Sequence, residues 1–413
     1  MLHSRLPRVK QVRLSSDDRN QARAMALKEG LRVWAEIDLD RLTANVHALK
    51  RQAGEARLLV VVKANAYGHG AVQVARAAVE AGAWGLGVAS LEEGLELRRA
   101  GIRAPVVVLG SSSPAQAGRL VANDIRVTLG SLELGRALSR AASAAGLTAR
   151  VHVKVETGMN RFGVAPDEAV RLAEALRDLP GVEVEGVSTH FAASDEEDKG
   201  PTLQQYERFR ACAERLDWVP LHHVSNTAAL LDLPDMSLGL VRCGLGVYGY
   251  YPSEAVSRDV PLQPVMSFRS RVARVATVAP GEGVGYGLTW RAERPSRIAL
   301  VLAGYGDGVR RSLSNRGVAL VRGCRAPFAG RVAMDMVMLD VTHIPDVRVD
   351  DEVTLLGRQG QECIDADEVA RLAGTINYEI VTGLMERVTR LFIRGGRVVA
   401  RQDLAGLREV SAS

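Results

Sequence analysis

The run LLVVVKANAYGHG, residues 58–70, drives a single lysine, Lys63, to the end of an apolar strand and follows it with Tyr67, Gly68 and Gly70. Desolvation at such a position disfavours the ammonium form and lowers the amine's pKa. The neutral amine is the form that attacks a carbonyl to make a Schiff base. Two later stretches can hold an anion. HVSNTAA (223–229) sets the Thr227 hydroxyl and unpaired amides at a helix start, and RCGLGVYG (242–249) puts Gly244 and Leu245 just beyond another apolar run. Backbone N–H groups from both could reach one phosphate. Arg161, His190, His223 and Arg242 also fall at or just after strand-like segments.

These residues need elements to bring them together. From residue 58 onward, eight short β-branched runs alternate with helix-like stretches: 58–63, 84–90, 104–110, 125–130, 149–155, 182–190, 220–225 and 237–244. Alternation of this kind implies parallel βαβ units, and eight of them predict a closed (β/α)8 barrel rather than an open doubly wound sheet. In a barrel the βα loops at the carboxyl ends of the strands meet on one face. Lys63, Arg161, His190, His223, Thr227, Arg242 and Gly244 all belong to that face. After residue 263, alternating runs such as SFRSRVARVATV and DEVTLLG are separated by glycine-rich turns, which predicts a second, mainly β domain. The expected division is an N-terminal extension over 1–30, a barrel over 31–263 and a β domain over 264–413. RVWAEIDL (32–39) reads as a strand lying before the barrel and packing on it.

The bulk properties narrow the function classes. A chain of 413 residues is long for a single core. A net charge of +5, spread along the sequence, lacks the dense basic stripe of a nucleic-acid binder. No apolar run approaches the roughly 18 residues of a membrane span. Cys212, Cys243, Cys324 and Cys363 form no CxxC pair, so they read as reduced thiols of a cytoplasmic protein with no metal site. The basic first 30 residues have no apolar core and read as a flexible tail rather than a secretory signal, with Met25 an alternative start.

Taken in order and spacing, VVKANAYGHG, KVETGMNRFG, STHFAASD, HVSNTAA, RCGLGVYG, VGYGLTW, GYGDGVRR, GRVAMDM and TINYE resemble the motifs of the alanine racemase family over roughly residues 32–395. That resemblance implies a barrel binding pyridoxal 5′-phosphate (PLP), followed by a β domain, in a homodimer whose partner completes each site. It implies that Lys63 carries the cofactor and acts as one base. Tyr67, Thr227, Gly244, Leu245 and Tyr378 would hold the phosphate, and His190 would lie against the ring. Arg242 would face the ring nitrogen with His223 behind it. Arg161 would bind near the phenolic oxygen and the substrate carboxylate, next to Lys154, a lysine often carbamylated in the family. Tyr286, supplied by the partner, would be the second base. Met334, also from the partner, would meet the carboxylate through its backbone, with Asp335 supporting it. Asp195, Tyr305, Arg311 and Arg331 would line an access corridor. The implied role is supply of D-alanine for peptidoglycan.

The residue types suit that chemistry. Racemisation takes a proton from one face and returns one on the other, which two opposed bases do directly. An arginine at the ring nitrogen stays a donor, leaves that nitrogen unprotonated and weakens the electron sink, which disfavours transamination. Three other readings compete: a racemase of serine or broader range, a decarboxylase of similar architecture, and a non-catalytic PLP-binding barrel. The arginine argues against the decarboxylase. The β domain and Tyr286 argue against the binding module.

Overall fold

The computed structural model describes residues 30–410. Eight strands form one parallel sheet: β2 (Arg57–Val61), β3 (Gly85–Val88), β4 (Val106–Val108), β5 (Ile125–Leu129), β6 (Ala149–Lys154), β7 (Val182–Ser188), β8 (Leu221–His223) and β9 (Leu240–Cys243). Their spatial order is β8-β7-β6-β5-β4-β3-β2-β9. The two end strands meet through single bonds rather than a ladder. Gly239 N–H donates to the His222 carbonyl at 3.1 Å and Arg242 N–H to the Ser225 carbonyl at 2.9 Å, which nearly closes the barrel. The sequence-predicted strands and the helices Ala71–Glu80, Leu91–Arg99 and Leu132–Ala145 stand where their patterns put them. Ser90 and Ser131 cap the last two by accepting from the third backbone N–H.

Inside the barrel Leu59, Val107 and Leu240 pack together, with Trp84 and Leu109 against them. Toward the carboxyl ends of the strands polar side chains enter the interior, among them Thr128, Lys154, Ser188 and Arg242.

Gly283–Val284 pairs with Trp290–Arg291 as a separate two-stranded hairpin around Tyr286, and the eleven remaining strands form a second sheet. Its longest member, β10 (Met266–Val278), alternates faces as a strand should: Met266, Phe268, Ser270 and Val272 are buried, while Ser267, Arg269 and Arg271 are half exposed. The strand-like segment expected to pack on the barrel belongs here instead. β1 (Val33–Asp38) runs antiparallel to β10 and parallel to Thr389–Arg394. Flanked on both edges, it buries Trp34, Ala35 and Ile37 completely. The two ends of the described chain are thereby woven into one sheet. The predicted tail over 1–30 lies almost wholly outside the described residues. Among those residues, no helix is long and apolar enough to cross a membrane.

Candidate active site

A cavity of about 640 Å³ opens at the carboxyl ends of the barrel strands. Lys63, Tyr67, Lys154, Arg161, His190, His223, Thr227, Arg242, Gly244, Leu245 and Tyr378 all line it. Sequence reasoning named each of these, and the fold brings all eleven together. Four of them are Lys or Arg, and no Asp or Glu shares the lining. Such a site favours anionic ligands.

Lys63 begins a backbone feature the sequence does not announce. Ala64, Asn65, Ala66 and Tyr67 all adopt φ between +52° and +53°, one turn of left-handed helix. Without glycine this conformation costs on the order of 1–2 kcal/mol per residue, so surrounding contacts must impose it. Glu93 accepts from Ala64 N–H at 2.8 Å and from Ala89 N–H at 2.6 Å, tying the exits of β2 and β3 together. The Asn65 side chain accepts from Ala71 N–H at 2.8 Å. Gly68 passes so close to the Val381 carbonyl that a Cβ there would collide with it. The cavity leaves the Lys63 side chain accessible, yet its walls exclude enough water to lower the amine's pKa, helped by Arg161 and opposed by Glu93.

The anion seat is built from two short turns. Among the described residues, the N–H groups of Thr227, Ala228, Leu245 and Gly246 find no acceptor, while Gly244 N–H donates to Thr227 Oγ1 at 3.2 Å. A Cβ at Gly244 would sit 2.5 Å from the Tyr67 hydroxyl, so glycine keeps this space open. Tyr67 packs on Tyr248 at 4.9 Å and near Tyr378 at 6.2 Å between ring centroids.

Arg242 is buried and spends both terminal nitrogens on neutral acceptors. Nη1 donates to His223 Nδ1 (2.9 Å) and the His223 carbonyl (3.0 Å). Nη2 donates to the carbonyls of Thr189 and Val224 (both 2.8 Å) and to His190 Nδ1 (3.0 Å). Nε finds no acceptor among the described residues and remains a spare donor on the cavity wall. Burial pushes the guanidinium pKa down to about 10, which leaves it charged at neutral pH. Lys154, between Arg242 and Arg161, is held well below the ordinary lysine value by burial and by both cations. An ion pair with Glu156 is the simplest alternative use of Lys154. Glu156 instead accepts from the Gly158 and Arg161 backbone N–H groups, at 2.6 and 3.2 Å, and shapes the Arg161 loop.

Tyr286, Met334, Asp335, Asp195, Tyr305, Arg311 and Arg331 do not line this cavity. Tyr286 is 72% exposed, and Leu288, Tyr305, Met334, Met336, Ile376 and Met385 are also exposed apolar residues. The loop bearing Met334 is firmly held. The buried Asp307 carboxylate accepts from Arg32 (2.6 Å) and Arg387 (2.8 Å), and Arg387 also donates to Asp335 at 2.7 Å.

Sequence reading missed Glu93, His152, Glu185 and Arg390, all buried or bonded near the site. A charged residue inside VHVKV or VEVEG was the available signal, since an inward-facing charge on a barrel strand requires a partner.

Three histidines, His69 and His223 buried and His190 partly so, give the protein a pH signature. Burial pushes His69 down to about 3 and holds His190 and His223 well below the ordinary 6.5. Below pH 6.5 the unfolded chain binds protons that the folded chain refuses, so stability is lost as pH falls, by about 1.4 kcal/mol per pH unit for each such histidine. Thermal melts of the cofactor-free protein should therefore show a steep fall in Tm from about pH 7 to about pH 5. A flat profile over that window would refute neutral burial of these rings.

Comparison with known proteins agrees with this geometry. Residues 37–252 match the family model "Alanine racemase, N-terminal domain" and residues 265–392 match "Alanine racemase, C-terminal domain". The chain is 45% identical to alanine racemase of Desulfosudis oleivorans over 384 residues, covering 89% of this chain and 98% of the relative. It is 47% identical to alanine racemase of Symbiobacterium thermophilum over 369 residues, covering 88% and 98%. The solved alanine racemase of Clostridium difficile 630 superposes with a TM-score of 0.86 at 35% identity, covering 90% of this chain and 98% of that one. Barrel, second sheet, cavity and relatives agree, and the chain belongs to the alanine racemase family.

Proposed function

We propose that this protein interconverts L- and D-alanine with PLP bound in the barrel cavity, as a homodimer in the cytoplasm, supplying D-alanine for peptidoglycan. The observation that carries the reading is the cavity itself, with Lys63 among four cations, no lining carboxylate, and free backbone N–H groups opposite. The open space kept by Gly244 and the spare Arg242 Nε–H fit the phosphate and ring nitrogen of PLP. Lys63 would hold the cofactor covalently, and Tyr67, Thr227, Gly244, Leu245 and Tyr378 would hold its phosphate. His190 would lie against the ring. When bound, PLP supplies a conjugated ring that accepts the electrons left when the Cα–H bond breaks.

The chain's own residues then move the protons. Lys63, whose pKa is lowered, takes or returns the α-proton on one face. Tyr286 serves the other face from the partner subunit. The exposed apolar surface around Tyr286 and Met334 supports a second copy of the chain covering it. Arg161 and the Met334 backbone would fix the substrate carboxylate, with Asp335 holding the Met334 loop. Asp195, Tyr305, Arg311 and Arg331 would line the approach. A neutral Lys154 amine can take up carbon dioxide and give Arg161 an anionic neighbour, which labelled bicarbonate would report.

Purified protein should carry a chromophore that borohydride fixes on Lys63, and among a panel of L-amino acids alanine should be racemised fastest. Faster turnover of serine or a larger side chain would overturn the substrate assignment, and no D-product from any of them would overturn the activity.

A further inference from the structure

Five buried polar side chains form one unbroken chain of contacts across the barrel interior. Arg126 on β5 donates through Nε to the Glu185 carboxylate on β7, at 2.8 and 3.2 Å. Glu185 Oε2 lies 3.0 Å from His152 Nε2 on β6. His152 Nδ1 lies 2.8 Å from His223 Nε2 on β8, with the rings edge to face. His223 Nδ1 meets Arg242 Nη1 on β9 at 2.9 Å. Gly186 makes room for this, because a Cβ there would collide with the His152 ring. Charged groups are almost never buried so deep unless they are paired.

The two ends of the chain dictate where every proton sits. Arg242 can only donate, so His223 Nδ1 must accept and His223 carries its proton on Nε2. His152 Nδ1 must then accept, which puts the His152 proton on Nε2, pointing at Glu185. The carboxylate can only accept. Burial pushes Glu185 upward, but bonds from His152 and Arg126 outweigh it and keep the carboxyl ionised. Both imidazoles are therefore neutral and point the same way. Reversing either would set two donors face to face, at His223–Arg242 or at His152–His223.

We propose that Glu185 and His152 are positioning residues for Arg242: they lock His223 in the tautomer that accepts at Nδ1, which pins the guanidinium and leaves its Nε–H for the ring nitrogen. The effect is orientation relayed over two rings from a carboxylate that never touches ligand. With the relay broken, His223 samples the other tautomer, its Nδ1–H opposes Arg242 Nη1, and the guanidinium loses its fixed orientation. The inference deepens the racemase reading and rests on it for the consequence at the ring nitrogen. The tautomer lock does not require it.

The test uses the cofactor-free and the PLP-loaded full chain. In the cofactor-free protein with nitrogen-labelled histidine, long-range proton–nitrogen correlation should show a bare Nδ1 and a protonated Nε2 on both His152 and His223. Glu185→Gln keeps an acceptor and should preserve that pattern. Glu185→Met removes it, and His223 Nδ1 should gain proton character. His152→Phe, which breaks the relay at its next link, should do the same and serves if Glu185→Met does not fold. In the loaded protein, either breaking variant should raise half-transamination, in which alanine passes its amino group and two electrons to PLP to give pyruvate and pyridoxamine phosphate, by about tenfold per racemisation event, the lower range for loss of a supporting contact behind a ligand-holding group. A protonated Nδ1 on His223 in the parent protein would overturn the proposal. So would folded Glu185→Met and His152→Phe variants that keep the parent tautomer and partition. Failure of the racemase reading would appear separately, as absence of turnover in the parent.

Discussion

Tyr286→Phe should lose roughly 10²–10⁴ in kcat, the range for removing a positioned acid–base group, while cofactor capture on Lys63 is unchanged. The asymmetry of the defect is as informative as its size. Lys63 still serves its own face, so the variant should go on exchanging the α-proton of one alanine enantiomer with solvent while failing to invert it. A variant retaining activity within a few-fold of the parent would remove Tyr286 from the mechanism. The exposed position of Tyr286, outside the cavity that holds Lys63, adds a second measurement. Lys63→Ala and Tyr286→Phe subunits should each be inactive alone. In a mixed dimer one site unites both defects, and the other joins an intact Lys63 to an intact Tyr286. Random assortment makes half the dimers mixed, so about a quarter of parental activity should return. No recovery in isolated mixed dimers would mean that the two groups do not meet across an interface.

The second large effect concerns stability. Arg390 is buried, and burial pushes its pKa down to about 10. Among the described residues no carboxylate lies at ion-pair distance from it. Its partners are backbone carbonyls: Gly68 at 2.7 Å from Nε, Val388 at 3.1 Å and Met385 at 3.4 Å from Nη1, and Leu384 at 3.1 Å from Nη2. Swapping a buried ion pair for apolar side chains can be neutral, because both charges go. Here methionine would remove the donor and leave the carbonyls stranded. We expect Arg390→Met to cost about 3–5 kcal/mol, seen as a lower denaturant midpoint at unchanged slope. Arg390→Lys, with three donors in the wrong geometry, should fall between. Because Gly68 follows the left-handed turn, both variants should also react more slowly with PLP at Lys63. A stable Arg390→Met protein with normal PLP capture would show that the Gly68 carbonyl is satisfied some other way.

What the sequence reveals follows from the range of the interactions involved. β-branched runs such as Val106–Val108 and Ile125–Leu129 declare themselves locally, so the barrel strands stood where alternation put them. Residues at strand ends inherit that legibility, and all eleven cavity residues named from sequence do line the cavity. β1 was misplaced because its partners lie more than 200 residues away, at Met266–Ser270 and Thr389–Ile393, and six residues cannot advertise which sheet will take them. The turn at Ala64–Tyr67 was invisible for the opposite reason: its own residues disfavour it, and Glu93, Val381 and Arg390 override them. His152 and Glu185 looked like ordinary strand positions until the interior placed them face to face.

That left-handed turn has a consequence in time as well as in space. Its restraints include Val381 and Arg390, and they act on the chain just after Lys63, synthesised more than 300 residues earlier. A nascent barrel lacking its C-terminal segment would have Lys63 in the sequence but no reason to hold the costly conformation beyond it. Cofactor capture would then wait for the segment carrying Val381 and Arg390, so that the reactive amine is armed only once that segment has docked.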